Sequence, residues 1–120
     1  MPLVLCTGVD PVLLKTRQLI LESAGHTVVP ASDEREIKII CSKQKFDVAV
    51  IGQSIPTRIK ARAMELVKEH CPEAKILELC PPYGTKTLEN ADAWLEMPSD
   101  QPDLLVALVN RLADKKTDAV

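Results

Sequence analysis

The stretch Phe46-Asp-Val-Ala-Val-Ile-Gly52 constrains this chain more than any other. It is a strand-length run that is apolar on both faces. A strand of that kind needs cover above and below, which is the position of a central strand in a parallel sheet. Similar runs recur at intervals. Leu3-Val4-Leu5-Cys6-Thr7 is a short buried strand, His26 to Ala31 a second, Ala74 to Cys80 a fourth and Ala93 to Met97 a fifth. Pro30 near the end of the second suits a sheet edge.

Between the strands the apolar period changes to that of a helix. Asp10 followed by Pro11 reads as an N-cap and first helical position, with Leu13, Leu14, Ile20, Leu21 and Ala24 on one face and Gly25 as the stop. Ser32-Asp33-Glu34 opens a second helix that turns Ile37, Ile40 and Cys41 inward. A third runs from about Thr57 to His70 with Ile59, Ala63, Leu66 and Val67 inward. Asp100 caps a last helix on Leu104, Leu105, Leu108 and Leu112. Strands alternating with helices imply a parallel sheet covered on both faces through right-handed crossovers. Residues 1–113 then form one domain and 114–120 a tail. Ligands of such sheets sit at the carboxyl ends of the strands.

Composition removes several function classes. Phe46, Tyr83 and Trp94 are the only aromatic residues, too few for stacking on bases, and the net charge of −2 gives no electrostatic basis for holding a phosphate backbone. No nucleic-acid partner is expected. No apolar run reaches membrane-span length and the N-terminus lacks signal-peptide character, so no membrane association is expected and the cytoplasm is the default location. Cys6, Cys41, Cys71 and Cys80 form no CxxC pair and read as small buried hydrophobes, and with only His26 and His70 available no metal site is expected.

The order and wording of these segments resemble the response-regulator receiver domain of two-component signalling. The resemblance rests on Val4 to Pro11, Glu22 to Ala31, Phe46 to Pro56, Cys71 to Cys80 and Ala91 to Pro98 followed by a leucine helix. It spans about residues 3–113. It implies a flavodoxin-like three-layer α/β sandwich with a five-stranded parallel sheet of order 2-1-3-4-5. The family transfers a phosphoryl group to an aspartate at the end of strand three, using Mg²⁺ held by acids, a hydroxyl and a lysine. Here the nucleophile position matches Gly52, the metal-binding acids match Gly8 and Val9, the hydroxyl matches Cys80 and the lysine matches Met97, with Pro98 kept after it. Asp10 is the one acid left at this edge, and capping its helix accounts for it. Asp47 lies at the opposite strand end, about 16 Å away at ~3.3 Å per residue. Ser54 has no acids beside it.

The resemblance also implies a fourth helix between Cys80 and Ala91, but Pro81-Pro82 and Gly84 leave at most a stub from Thr85 to Glu89. The expected function is a degenerate pseudo-receiver: no enzyme, no cofactor, and a phosphorylation-independent contact with a protein partner. That partner is a kinase, another receiver, an output domain or a second copy of the chain. The alternative is a flavodoxin-like binder of a small molecule or nucleotide, although no GxGxxG or Walker pattern follows the first strand. A redox pair of Cys6 and Cys80 is disfavoured because strands one and four are not neighbours in that order. Trp94 aligns with the receivers' strand-five aromatic. It either packs on the Thr85–Glu89 stub or stays exposed beside Val106 and Val109 as a partner anchor.

Overall fold

The computed structural model describes residues 3–53, 55–81, 88, 90–96 and 102–114. Five strands form one parallel sheet: β1 (Leu3–Thr7), β2 (Thr27–Ala31), β3 (Val48–Ile51), β4 (Lys75–Cys80) and β5 (Ala93–Glu96), in the order β2-β1-β3-β4-β5. The helices are α1 (Pro11–Ser23), α2 (Glu34–Lys43), α3 (Thr57–His70) and α4 (Pro102–Ala113). This is the expected sandwich. Between β4 and β5 the described residues contain no helix, and Thr85–Lys86–Thr87 and Glu89 of the expected stub lie outside them, as does Asp100. No described helix is long and apolar enough to cross a membrane.

All four residues of β3 are buried, as an apolar central strand requires. Two aspartates pin the amino ends of the strands. Asp47 accepts the Leu3 N–H at 2.8 Å and Asp92 accepts the Ile76 N–H at 2.7 Å, each joining a strand to the segment leading into its neighbour. Helix ends follow their sequence signals. Asp10 caps α1 through Val12 N–H and Leu13 N–H, Asp33 caps α2 through Glu36 N–H, and Gly25 takes φ +95° just past α1.

The sheet divides the core in two. Leu5, Ala49, Ile51 and Ile76 face α2 and α3, while Val4, Cys6, Val50, Leu77 and Leu79 face α1 and α4. Three helix faces are rotated from those expected. On α1, Arg17 is buried between Leu14 and Leu21 while Ala24 is exposed. On α3, Lys60 is buried and Ile59 is exposed. On α4, Leu105, Val109 and Leu112 are buried while Leu104 is 44% exposed.

Val109 is therefore core, which corrects its place in an exposed partner patch. Its side chain meets the face that carries Val50 and Leu77, and Val106 is partly buried beside it. Val109→Ala is expected to lower unfolding free energy by about 2 kcal/mol, the loss of two buried carbons plus a small cavity. Leu104→Ala should change it by less than about 0.5 kcal/mol, as exposed substitutions do. Urea unfolding of the two variants gives the comparison, and equal losses would contradict the rotated face.

Candidate functional site

The carboxyl ends of β1 and β3 bring Gly8 and Gly52 together. A Cβ at position 52 would stand 3.5 Å from the Gly8 Cα, and the Gly52 N–H donates to Thr7 O at 3.1 Å. Thr7 Oγ1 in turn donates to Val50 O at 3.1 Å, so the two strand ends are tied by backbone and side chain alike. Val9 is 49% exposed and lines the small hollow beside this junction. Asp10 spends its carboxylate on the α1 cap. Cys80 closes β4, buried, in register with Glu96 of β5. Met97, Pro98 and Ser54 lie outside the described residues.

The junction is filled from α1. The Arg17 side chain is only 4% exposed, and its Nη1 would lie 3.2 Å from a Cβ at position 52. The same Cβ would stand 2.8 Å from the carbonyl oxygen of Thr7, a contact that backbone cannot relieve without moving. Glycine is thus the residue that lets the guanidinium reach the end of β3. Arg17 Nη2 donates to the Gln53 side-chain oxygen, and among the described residues no carboxylate forms an ion pair with it. Burial lowers the Arg17 pKa, while the nearby Cys6 and Asp10 oppose that shift. Burial also pushes the Cys6 thiol up to about 12 despite the arginine beside it, so Cys6 is no nucleophile at neutral pH.

Among the described residues no group of three His, Cys, Asp or Glu side chains is placed to hold a metal ion, and the nearby Asp10 and Asp33 cap α1 and α2. The hollow beside the junction, between Gly8, Ala31 and Ile59, measures about 20 Å³, roughly one water in size and far below the ~300 Å³ of a small-molecule site.

A second cluster stands on the other face of the sheet, at β4 and β5. Lys60 of α3 and Glu78 of β4 form an ion pair at 2.8 Å with both side chains almost wholly buried. Lys60 Nζ also donates to Leu79 O at 2.9 Å, and the second Glu78 oxygen accepts the Leu88 N–H at 2.9 Å. The Leu88 carbonyl accepts both Trp94 Nε1 and the Ala91 N–H at 3.1 Å. Leu88, 2% exposed, is thereby held through both its N–H and its carbonyl. Ion pairing and hydrogen bonds offset the cost of burying the two charges.

Trp94 belongs to this cluster. Strand alternation turns it toward α2 and α3, while Ala93 and Leu95 face α1 and α4. It is half-buried against Leu88 and does not share a surface with Val106 and Val109. The sequence signals for Arg17, Lys60 and Glu78 were their places within apolar stripes: Arg17 between Leu14 and Leu21, Lys60 three before Ala63, and Glu78 between Leu77 and Leu79.

Lys60→Met is expected to cost about 3–5 kcal/mol by stranding the Glu78 carboxylate, and adding Glu78→Gln should recover part of that loss. Glutamine still offers an oxygen to the Leu88 N–H. Equal stability of Lys60→Met and the parent in urea would contradict the buried pair. Trp94→Ala should cost about 2 kcal/mol through lost packing and the vacated Leu88 carbonyl bond. An unchanged thermal midpoint would instead mark Trp94 as a surface residue.

No protein-family model matches the chain, and no curated protein sequence does. Solved structures do. The receiver domain of the Francisella response regulator 1452 superposes with a TM-score of 0.81 at 21% identity, over 97% of this chain and 99% of that one. Chemotaxis protein CheY4 of Vibrio cholerae gives 0.78 at 24% identity, over 93% and 98%. A response regulator of Burkholderia pseudomallei, described with a phosphorylated aspartic acid, a calcium ion and citrate, gives 0.76 at 20% identity, over 100% of this chain and 74% of that one. At these identities the likeness is one of fold.

Proposed function

We propose that this chain is a receiver-fold domain of two-component signalling that does not accept a phosphoryl group and serves as a protein-interaction module. The observation that carries this reading is Arg17. Where phosphoryl transfer to carboxylate needs an anionic nucleophile and a metal ion, the junction of β1 and β3 holds glycine at position 52 and a buried guanidinium against it. A fixed internal cation makes a bound divalent cation unfavourable at the same place, by like-charge repulsion at close range. On this reading the domain is not an enzyme and works in the cytoplasm without a cofactor. Its partner is a kinase, another receiver, an output domain or a second copy. The fold likeness to receivers supports the signalling context.

Incubation with acetyl phosphate and Mg²⁺, followed by intact-mass analysis, is expected to leave the mass unchanged. Gly52→Asp should also remain unlabelled, because its Cβ meets Thr7 O and Arg17, and Gly8 and Val9 supply no metal ligand. Millimolar Mg²⁺ should leave the thermal midpoint of the parent chain unmoved. A phosphoryl group mapped to an aspartate or serine near Gly52, or a midpoint raised several degrees by Mg²⁺, would overturn the reading.

A further inference from the structure

The end of the sheet opposite the Gly8–Gly52 junction carries a cavity of about 270 Å³, lined by Lys45, Phe46, Asp47, Cys71, Pro72 and Glu73. Three of these residues connect α2 to β3 and three connect α3 to β4. The volume equals that of about nine waters and approaches the ~300 Å³ at which small-molecule sites begin.

The walls are fixed by the chain itself. Lys45 Nζ donates to His70 O at 2.6 Å, and the Cys71 sulfur stands 3.4 Å from Gln44 O and 3.9 Å from Cys41 O, so the two connections are tied to each other. The Asp47 N–H donates to Leu3 O at 2.9 Å and Asp47 O accepts the Lys75 N–H at 3.0 Å, which seats them on the strand ends. A site formed in advance needs little ordering when a ligand enters.

The lining is divided in character. Phe46 and Cys71 are buried and belong to the core under α2 and α3, which makes an apolar floor. Lys45, Pro72 and Glu73 are exposed, and Asp47 is half-buried with one carboxylate oxygen accepting the Leu3 N–H. The Lys45 ammonium has further protons to donate beyond the one given to His70 O. Glu73 forms no hydrogen bond or ion pair among the described residues. An anion on Lys45 would also meet the Asp47 and Glu73 carboxylates, and a cation on Glu73 would also meet the Lys45 ammonium. A molecule that carries both charges answers each side.

We propose that this cavity binds a small amino acid with an apolar side chain. Its carboxylate pairs with Lys45, its ammonium with Glu73, and its side chain lies against Phe46 and Pro72. A ligand of this size reaches a dissociation constant on the order of 1 mM. The site is independent of the proposed signalling role, because it lies at the amino end of β3 whereas Gly52 follows the carboxyl end.

The test is a ¹⁵N–¹H correlation titration of the folded full chain with L-leucine. The Lys45, Phe46, Asp47, Cys71 and Glu73 amides should shift saturably, while those of Gly8 and Gly52 stay in place. 3-Methylbutylamine, which lacks the carboxylate, and 4-methylpentanoate, which lacks the ammonium, should each bind at least about fivefold more weakly. Glu73→Gln and Lys45→Met should each weaken leucine binding by about threefold, as loss of an exposed charge pair does. Glu73→Gln removes no bond within the described residues, so it decides the matter even if Lys45→Met, which loses the bond to His70 O, is destabilised. Absence of saturable shifts at the cavity amides, an amine or acid that binds as tightly as leucine, or unchanged affinity in Glu73→Gln would overturn the proposal.

Discussion

The Arg17 guanidinium is the interaction around which the carboxyl edge of the sheet is arranged. It comes from the buried face of α1, crosses to the end of β3 and stops against Gly52 and Gln53. Each neighbour is suited to it. Glycine at 52 leaves the space, the Gln53 amide oxygen accepts one of its protons, and Asp10 stands near enough to favour its charged form while capping the same helix. A guanidinium is less strongly hydrated than an ammonium and offers five donors, which suits it to burial at a site shared by backbone carbonyls. The consequence for function is direct: the place where this fold presents its strand ends to a ligand is occupied by the chain's own cation.

The opposite face solves a different problem with the same means. The Lys60–Glu78 pair and Trp94 hold Leu88 against the sheet. A buried ion pair contributes little net stability compared with apolar packing, but it defines one arrangement, because moving either partner strands a charge. The surface near β5 is thus fixed by internal contacts, and Trp94 serves that packing.

The fold was legible because alternation of period is a strong signal. The doubly apolar Val48–Ile51 run places β3 at the centre, and the capping residues Asp10, Asp33 and Gly25 set helix ends to within a residue or two. The site was half legible. The resemblance placed Gly8 and Gly52 side by side, yet Arg17 remained hidden because a cation in a helix is read by default as solvent-facing. The same assumption turned Ile59 inward in place of Lys60, while on α4 the leucine spacing drew Leu104 inward in place of Val109. Hydropathy ranks residues one at a time, whereas the burial of Lys60 depends on Glu78, 18 positions away, and the meeting of Cys41 with Cys71 depends on how α2 and α3 lie together. Such pairings exist only once the chain has folded.

The most direct measurement of the central claim is a ¹⁵N–¹H correlation titration of the folded chain with beryllofluoride and Mg²⁺, following the Gly8, Gly52 and Gln53 amides and the Arg17 Nε–H resonance. With the guanidinium occupying the junction, these signals should stay in place through the titration, and the Arg17 Nε–H should exchange slowly with solvent because it is buried. Saturable shifts of the Gly52 and Gln53 amides, together with rapid exchange at Arg17 Nε, would mean that the arginine yields the site to the ligand and would contradict the account.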